Sequence, residues 1–256
     1  MKYVALGSSY AAGPGATPNV GELCLRGDNS YPRAVAAARE LTLVDVTCSG
    51  ATVANILDVP QHPAADRPQI EAVTPDTDLV TITIGGNDIS YVGRVIAMSC
   101  ANSVPELART VAARGCSAGR DPAPEPAPDA YARVERSMVA VVDAVRARAP
   151  RAIVVLVDYP AVVSVDEAPC PQLPLTPEQV VETQRIADGL AGATARAAAT
   201  SGALVVTASK ASATHTVCST APWVRGFALP IPYHPNAAGK SAVAQLVLDG
   251  LGNRIR

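Results

Sequence analysis

A chain of 256 residues with 48% hydrophobic content can bury a full core, and a single α/β domain spanning residues 1–256 is an ordinary outcome at this size. A net charge of −2, with Lys and Arg scattered along the chain, supplies no basic stripe and so argues against nucleic acid or an anionic membrane as partner. No apolar run is long enough to span a bilayer, which leaves the chemistry to be sought in a pocket.

The first strand begins within a few residues of Met1 and runs through Val4-Ala5-Leu6 into a Gly7-Ser8-Ser9 corner. Apolar residues leading straight into such a corner mark a buried strand that delivers a side chain to its exposed end. A loop from Gly13 to Asn29 then leads to a helix opening near Ser30 and Pro32. Strand two, Thr42 to Thr47, is followed by Cys48-Ser49-Gly50-Ala51-Thr52, a short helical stretch and a proline-broken polar segment from Pro60 to Asp76. Strand three, Leu79 to Ile84, has the β-branched composition of a centre strand buried on both faces, and it ends in Gly85-Gly86-Asn87-Asp88.

A helical region follows to about Cys100, and then a proline run from Asp121 to Pro128 that reads as a surface excursion. A helix from Asp129 to Ala149 returns to strand four, Ala152 to Val157, closed by Asp158-Tyr159-Pro160. Thr176-Pro177-Glu178-Gln179 has capping-box spacing and opens a long helix to about Thr200; strand five is Ala203 to Val206. A loop from Ala208 to Tyr233 precedes His234-Pro235-Asn236 and a terminal helix, capped by Asn236, that ends near Gly250. Five strands alternating with helices predict an open parallel sheet with helices on both faces. Ligands of such sheets bind beyond the carboxyl ends of the strands, which places Ser9, Gly50, Asn87 and the loop before His234 on one edge.

Those four positions form a chemical set. A serine hydroxyl is a poor nucleophile at neutral pH and needs a base for its proton and fixed donors for the oxyanion that follows. His234, with an ordinary pKa of about 6.5, is the candidate base. The backbone N–H groups of Ser9 and Gly50, with the side-chain amide of Asn87, are candidate oxyanion donors. Singly these residues read as a turn, a helix cap and a loop end, but their convergence favours catalysis.

Six cysteines allow 15 pairings. Their placement suggests Cys24–Cys48, Cys100–Cys116 and Cys170–Cys218, against the alternative of six buried thiols in a reducing cytosol. The absence of Cys-x-x-Cys and the presence of only three histidines argue against a metal site. The early first strand leaves no room for a signal peptide, so the protein is either cytosolic or has lost an export signal.

The four blocks resemble those of the SGNH, or GDSL-type, serine hydrolase family. Gly7-Ser8-Ser9-Tyr10 is similar to its first block, Gly50 in Cys-Ser-Gly-Ala-Thr to its second, Gly85-Gly86-Asn87-Asp88 to its third and His234-Pro235-Asn236 to its last. The resemblance implies a three-layer α/β/α, flavodoxin-like fold and hydrolysis of carboxylic esters through an acyl-enzyme on Ser9. It also implies no metal or organic cofactor. Two departures stand out: Ser8 occupies the place of the usual Asp, and Ile231 stands three residues before His234, where the family has its acid. One subgroup of secreted bacterial lipases and esterases is similar in having a Ser-His dyad, a backbone carbonyl in place of the acid, and three disulfides. That likeness favours an extracytoplasmic setting and the Ile231 carbonyl as the group that orients His234, with Asp158 as the other candidate. The expected partner is a small-molecule ester or lipid, met by a monomer, with thioester and sugar-ester substrates open. A non-catalytic flavodoxin-like binder, using the turn after strand one for phosphate, is the alternative.

Overall fold

The computed structural model describes residues 1–15, 23–62, 67–107, 116, 122–228 and 231–255. Strands β1 (Lys2–Gly7), β2 (Thr42–Asp45), β3 (Thr77–Thr83), β4 (Ile153–Val157) and β5 (Leu204–Val206) form one parallel sheet in the order β2-β1-β3-β4-β5. Side chains two residues apart share a face of a strand. On one face Val4, Leu6, Val80, Ile82, Val154 and Leu156 pack with α3 (Val53–Leu57), α5 (Pro128–Arg148) and α6 (Pro177–Ser201). On the other, Tyr3, Ala5, Leu79, Val155 and Val157 meet α2 (Tyr31–Ala38) and α8 (Ala237–Leu251). The result is the three-layer flavodoxin-like architecture expected, with β3 at its centre.

Two polar side chains of the centre strand are paired inside these layers. The buried hydroxyls of Thr81 and Thr83 bond the phenols of Tyr3 (2.6 Å) and Tyr31 (2.9 Å), so two threonines on the α2/α8 face of the centre strand leave no orphan. All six cysteines are joined as Cys24–Cys48, Cys100–Cys116 and Cys170–Cys218.

Element ends differ from expectation where side chains intervene. Strand β2 stops at Asp45 rather than Thr47, because the Asp45 carboxylate takes the N–H and hydroxyl of Thr47 (3.1 and 2.6 Å) and turns the chain. The expected loop after β5 contains a one-turn helix, α7 (Ala208–Ala211), and the polar segment before β3 contains a 3-10 turn, Gln69–Ala72. The helix after Asn87, α4 (Tyr91–Leu107), runs past Cys100. Helix α6 opens as read, with Thr176 and Gln179 in a reciprocal capping box.

Strand β1 lies between β2 and β3, so the connections on its two sides diverge and open a crevice at the carboxyl ends of β1 and β3. Ser9 follows the first of these strands and Asn87 the second.

Candidate active site

The corner after β1 is held from three sides. Gly7 has φ +136°, and a Cβ there would stand 2.3 Å from the Thr83 carbonyl oxygen, so only glycine allows β1 and β3 to close this tightly. The Gln69 side chain clasps the same residue, accepting from the Gly7 N–H (2.7 Å) and donating to its carbonyl (3.1 Å). Ser8 donates its N–H to Thr83 (2.9 Å) and is buried, its hydroxyl turned to the Tyr159 phenol at 3.1 Å. Ser9 then opens a one-turn helix, α1 (Ser9–Ala12), and faces the crevice.

Ser9 Oγ lies 2.8 Å from His234 Nε2. The other ring nitrogen, Nδ1, is 2.8 Å from the Pro232 carbonyl oxygen. A carbonyl only accepts, so Nδ1 carries the proton and Nε2 is left as an acceptor for the serine O–H. The carbonyl that orients the ring is thus that of Pro232, not Ile231. Tyr233 explains the difference: its left-handed backbone, φ 60°, folds the chain so that the peptide two residues before the histidine turns back to the ring. The Ile231 side chain instead lines the cleft, and Pro230 lies outside the described residues.

A left-handed tyrosine is costly, about 1–2 kcal/mol, and needs anchors. Its hydroxyl pairs with Ser99 Oγ (2.5 Å), its carbonyl accepts from Tyr10 O–H (2.5 Å), and its N–H donates to Arg225. Tyr10 adjoins Ser9, so this contact ties the serine turn to the histidine turn. Beyond them Asn236 caps α8, accepting from Gly239 N–H and donating to the Pro222 carbonyl. Lys240, buried on α8, donates to the Gly13 carbonyl (2.6 Å) and to Asn29 Oδ1 (2.9 Å), fastening the loop behind Ser9 to the histidine's helix.

Burial pushes the His234 pKa down to about 4, resisted by the Pro232 carbonyl and reinforced by the positive charges of Lys240 and Arg225. The imidazole is therefore neutral near pH 7 and free to accept a proton.

The third and second blocks are stitched to each other. Asn87 Nδ2 donates to the Ala51 carbonyl (2.8 Å), and the Asp88 carboxylate accepts the Val53 N–H (3.1 Å) at the start of α3. An amide has two N–H donors, so Asn87 retains one for a ligand. Among the described residues the N–H groups of Ser9 and Gly50 have no acceptor. Gly50 has φ +88°, the left-handed conformation that turns the chain here, and Gln61 holds the preceding carbonyl of Ser49 at 2.6 Å. Ser9, Gly50, Asn87, Ile231 and His234 line one cleft of about 330 Å³.

Asp158, the other candidate for orienting His234, is engaged elsewhere. Its carboxylate accepts the Ser209 N–H (2.8 Å) and hydroxyl (2.5 Å) at the start of α7. Burial raises its pKa to about 6, opposed by those two bonds. The neighbouring Tyr159 has a role that sequence reading missed. Its phenol, pushed up to about 12 by burial, accepts the Gly86 N–H (3.1 Å) and so has its own proton to give to Ser8 Oγ. A Cβ on Gly86 would stand 2.8 Å from that ring. Ser8-Tyr159-Gly86 thus joins the serine corner to the Asn87 block, and a buried neutral hydroxyl makes the link where the family usually has an aspartate. Gln69 was missed as well, since a lone glutamine in a polar segment carries no signal of its long-range partner. Cys24, Cys48 and His62 lie within metal-ligating reach of one another, but both sulfurs are spent in a disulfide and offer no thiolate.

A serine hydroxyl bonded to an imidazole, sharing a cleft at the sheet's carboxyl edge with two backbone N–H groups and a side-chain amide, is an arrangement of the kind serine hydrolases use. Residues 5–242 match the GDSL-like lipase/acylhydrolase family, and the chain belongs to it as a carboxylic ester hydrolase. It is 34% identical to Lipase 2 of Streptomyces coelicolor, over 98% of this chain and 86% of that protein. The crystal structure of an extracellular lipase from Streptomyces rimosus superposes with a TM-score of 0.73 at 29% identity, covering 100% of both chains. Phospholipase A1 from Streptomyces albidoflavus gives 0.73 at 28%, covering 100% of this chain and 99% of that one. These matches lend no support to a non-catalytic binder.

Proposed function

We propose that the chain is one catalytic domain in which Ser9 attacks the carbonyl carbon of a lipid or other small carboxylic ester. The observation that carries this reading is the Ser9 Oγ–His234 Nε2 contact of 2.8 Å with Nδ1 tied to a carbonyl, which leaves the correct nitrogen as base. Ser9 passes its proton to Nε2 as its oxygen bonds to carbon. The carbonyl oxygen becomes the oxyanion, held by the Ser9 and Gly50 N–H groups and the free N–H of Asn87. Nε2 then protonates the departing alcohol, leaving an acyl-enzyme. Water, giving a proton to the same nitrogen, releases the acid and restores Ser9. Pro232 does by hydrogen bonding what a triad carboxylate does with charge. The relatives' lipase names support lipid esters as substrates, and three disulfides, with the extracellular title of the Streptomyces rimosus enzyme, support an extracytoplasmic setting. Among the described residues no helix is long and apolar enough to cross a membrane.

The pH profile tests the base. With His234 lowered to about 4, kcat/KM for a soluble ester should hold down to about pH 5 and fall on an acid limb near pH 4. A limb at the ordinary 6.5 would contradict the lowered His234 pKa. The sign for stability follows: between 6.5 and 4 the unfolded chain binds the proton that folded His234 refuses, so this residue lowers stability as pH falls through that window.

Asp158→Asn tests the orienting group. Its carboxylate serves Ser209, so kcat should fall less than tenfold. Loss of a true triad aspartate costs about 10⁴, and a fall of that size in folded protein would reinstate Asp158.

A further inference from the structure

Helix α4 borders the cleft with Val92, Gly93 and Ile96. Val92 and Ile96 are half-buried, one turn apart, and apolar; Gly93 between them is exposed. A glycine inside a helix costs about 0.5–1 kcal/mol relative to alanine, so its presence asks for a reason. Elsewhere in this site the reason is contact, as with Gly7 against Thr83 and Gly86 against Tyr159. At Gly93 there is none. A Cβ built there meets nothing within 4 Å, and the residue is absent from the positive-φ positions. Neither packing nor backbone conformation requires glycine, and what its missing side chain leaves is open space over the cleft.

The same cleft is lined by Leu25, whose backbone is left-handed at φ 52°, a conformation that costs a non-glycine residue about 1–2 kcal/mol. It is held by its neighbours: Cys24 is bonded to Cys48, Arg26 donates to the Thr47 carbonyl (3.0 Å), and Gly27 N–H donates to Ala12 (2.8 Å). The chain thus accepts strain on one wall to present an isobutyl group, and accepts a helix penalty on another to present nothing.

Resting on the assignment of Ser9 and His234 above, we propose that Gly93 is the residue that sets the acyl-chain range of the enzyme. Nε2 of His234 returns its proton to the leaving oxygen, so the alcohol departs beside the histidine. The acyl substituent on the same carbon points away from it, toward the part of the cleft lined by Leu25, Val92, Gly93 and Ile96. A cleft of about 330 Å³ is at the small end of the roughly 300–1,000 Å³ of small-molecule sites, so a side chain at 93 takes space that a medium acyl chain needs.

The test compares p-nitrophenyl octanoate with p-nitrophenyl acetate. The octanoate-to-acetate ratio of kcat/KM should fall at least about tenfold in Gly93→Phe and by a smaller factor in Gly93→Leu, since one misfit methylene alone is worth about 10–200-fold. The same variants, tested on acetates of short and long alcohols, should show no comparable change in ratio. An unchanged acyl ratio in both folded variants, or a shift in the alcohol series instead, overturns the proposal. Leucine and phenylalanine are better helix formers than glycine, and thermal unfolding verifies the fold. A second readout needs no turnover: calorimetric binding of octanoate to Ser9→Ala should be lost in Ser9→Ala/Gly93→Phe. Octanoate binding that depends on Gly93 in a chain that hydrolyses no ester would sink the esterase mechanism and leave the acyl site standing. Ester hydrolysis with binding indifferent to residue 93 would do the reverse.

Discussion

Ser9→Ala should lower kcat on any ester substrate by a factor on the order of 10⁶, the loss seen when a hydrolase of this chemistry is stripped of its nucleophile. His234→Ala should lose about as much, and the double variant little more, because a serine without its base and a base without its serine are equally idle. A fluorophosphonate probe gives the independent measurement: it should label Ser9 in the parent protein and nothing in Ser9→Ala. Ser8 is the informative control, being the adjacent hydroxyl. It is buried and directed to the Tyr159 phenol at 3.1 Å, while Ser9 Oγ faces His234 at 2.8 Å, so Ser8→Ala should keep the label. Labelling that moves to Ser8, or survives in Ser9→Ala, would reject the assignment.

The second large effect belongs to Asn87. Asn87→Ala should reduce kcat by about 10²–10³ with much less change in KM, since the free N–H of this amide acts on the charge that grows in the transition state. The other N–H holds the Ala51 carbonyl at 2.8 Å, so the variant also loosens the join between the two donor blocks. Asp88, which holds the Val53 N–H, remains to keep them together, and thermal unfolding measures what loosening is left. Asn87→Asp preserves the size of the side chain but sets a negative charge facing the oxyanion, and should fall at least as far. A rise in KM with kcat maintained would make Asn87 a ground-state binding residue.

The two effects rest on features that differ in how far sequence alone exposes them. Local patterns carry a great deal. The β-branched run through residue 84, the proline and capping box at Thr176-Pro177-Gln179, and the Asn236 cap act over a few residues, so the elements they specify form where expected. Strand-helix alternation then leaves little choice of architecture, because parallel strands need covered crossovers, and the strand-end rule collects Ser9, Gly50, Asn87 and His234 on one edge. Cys24–Cys48 and Cys170–Cys218 join segments that follow neighbouring strands, while Cys100–Cys116 joins two positions 16 apart in one local stretch.

What stayed hidden lies in contacts between segments far apart in the chain or in single backbone angles. No residue pattern foretells that Tyr233 is left-handed, and that one angle passes the histidine's orientation from Ile231 to Pro232. The block pattern marks Ser9 as the nucleophile but does not foretell where the Ser8 hydroxyl goes, since its partner Tyr159 is 151 positions away. Gln69 and Lys240 look like surface residues until the fold lays Gly7 and Gly13 against them. Asp158 looks like a triad acid until α7 brings Ser209 to its carboxylate. Periodicity and turn chemistry act through neighbours along the chain and so were readable from residue types. Hydrogen-bond direction and burial depend on partners 50 to more than 200 residues away, and only packing the sheet and its two helical layers brings those partners together.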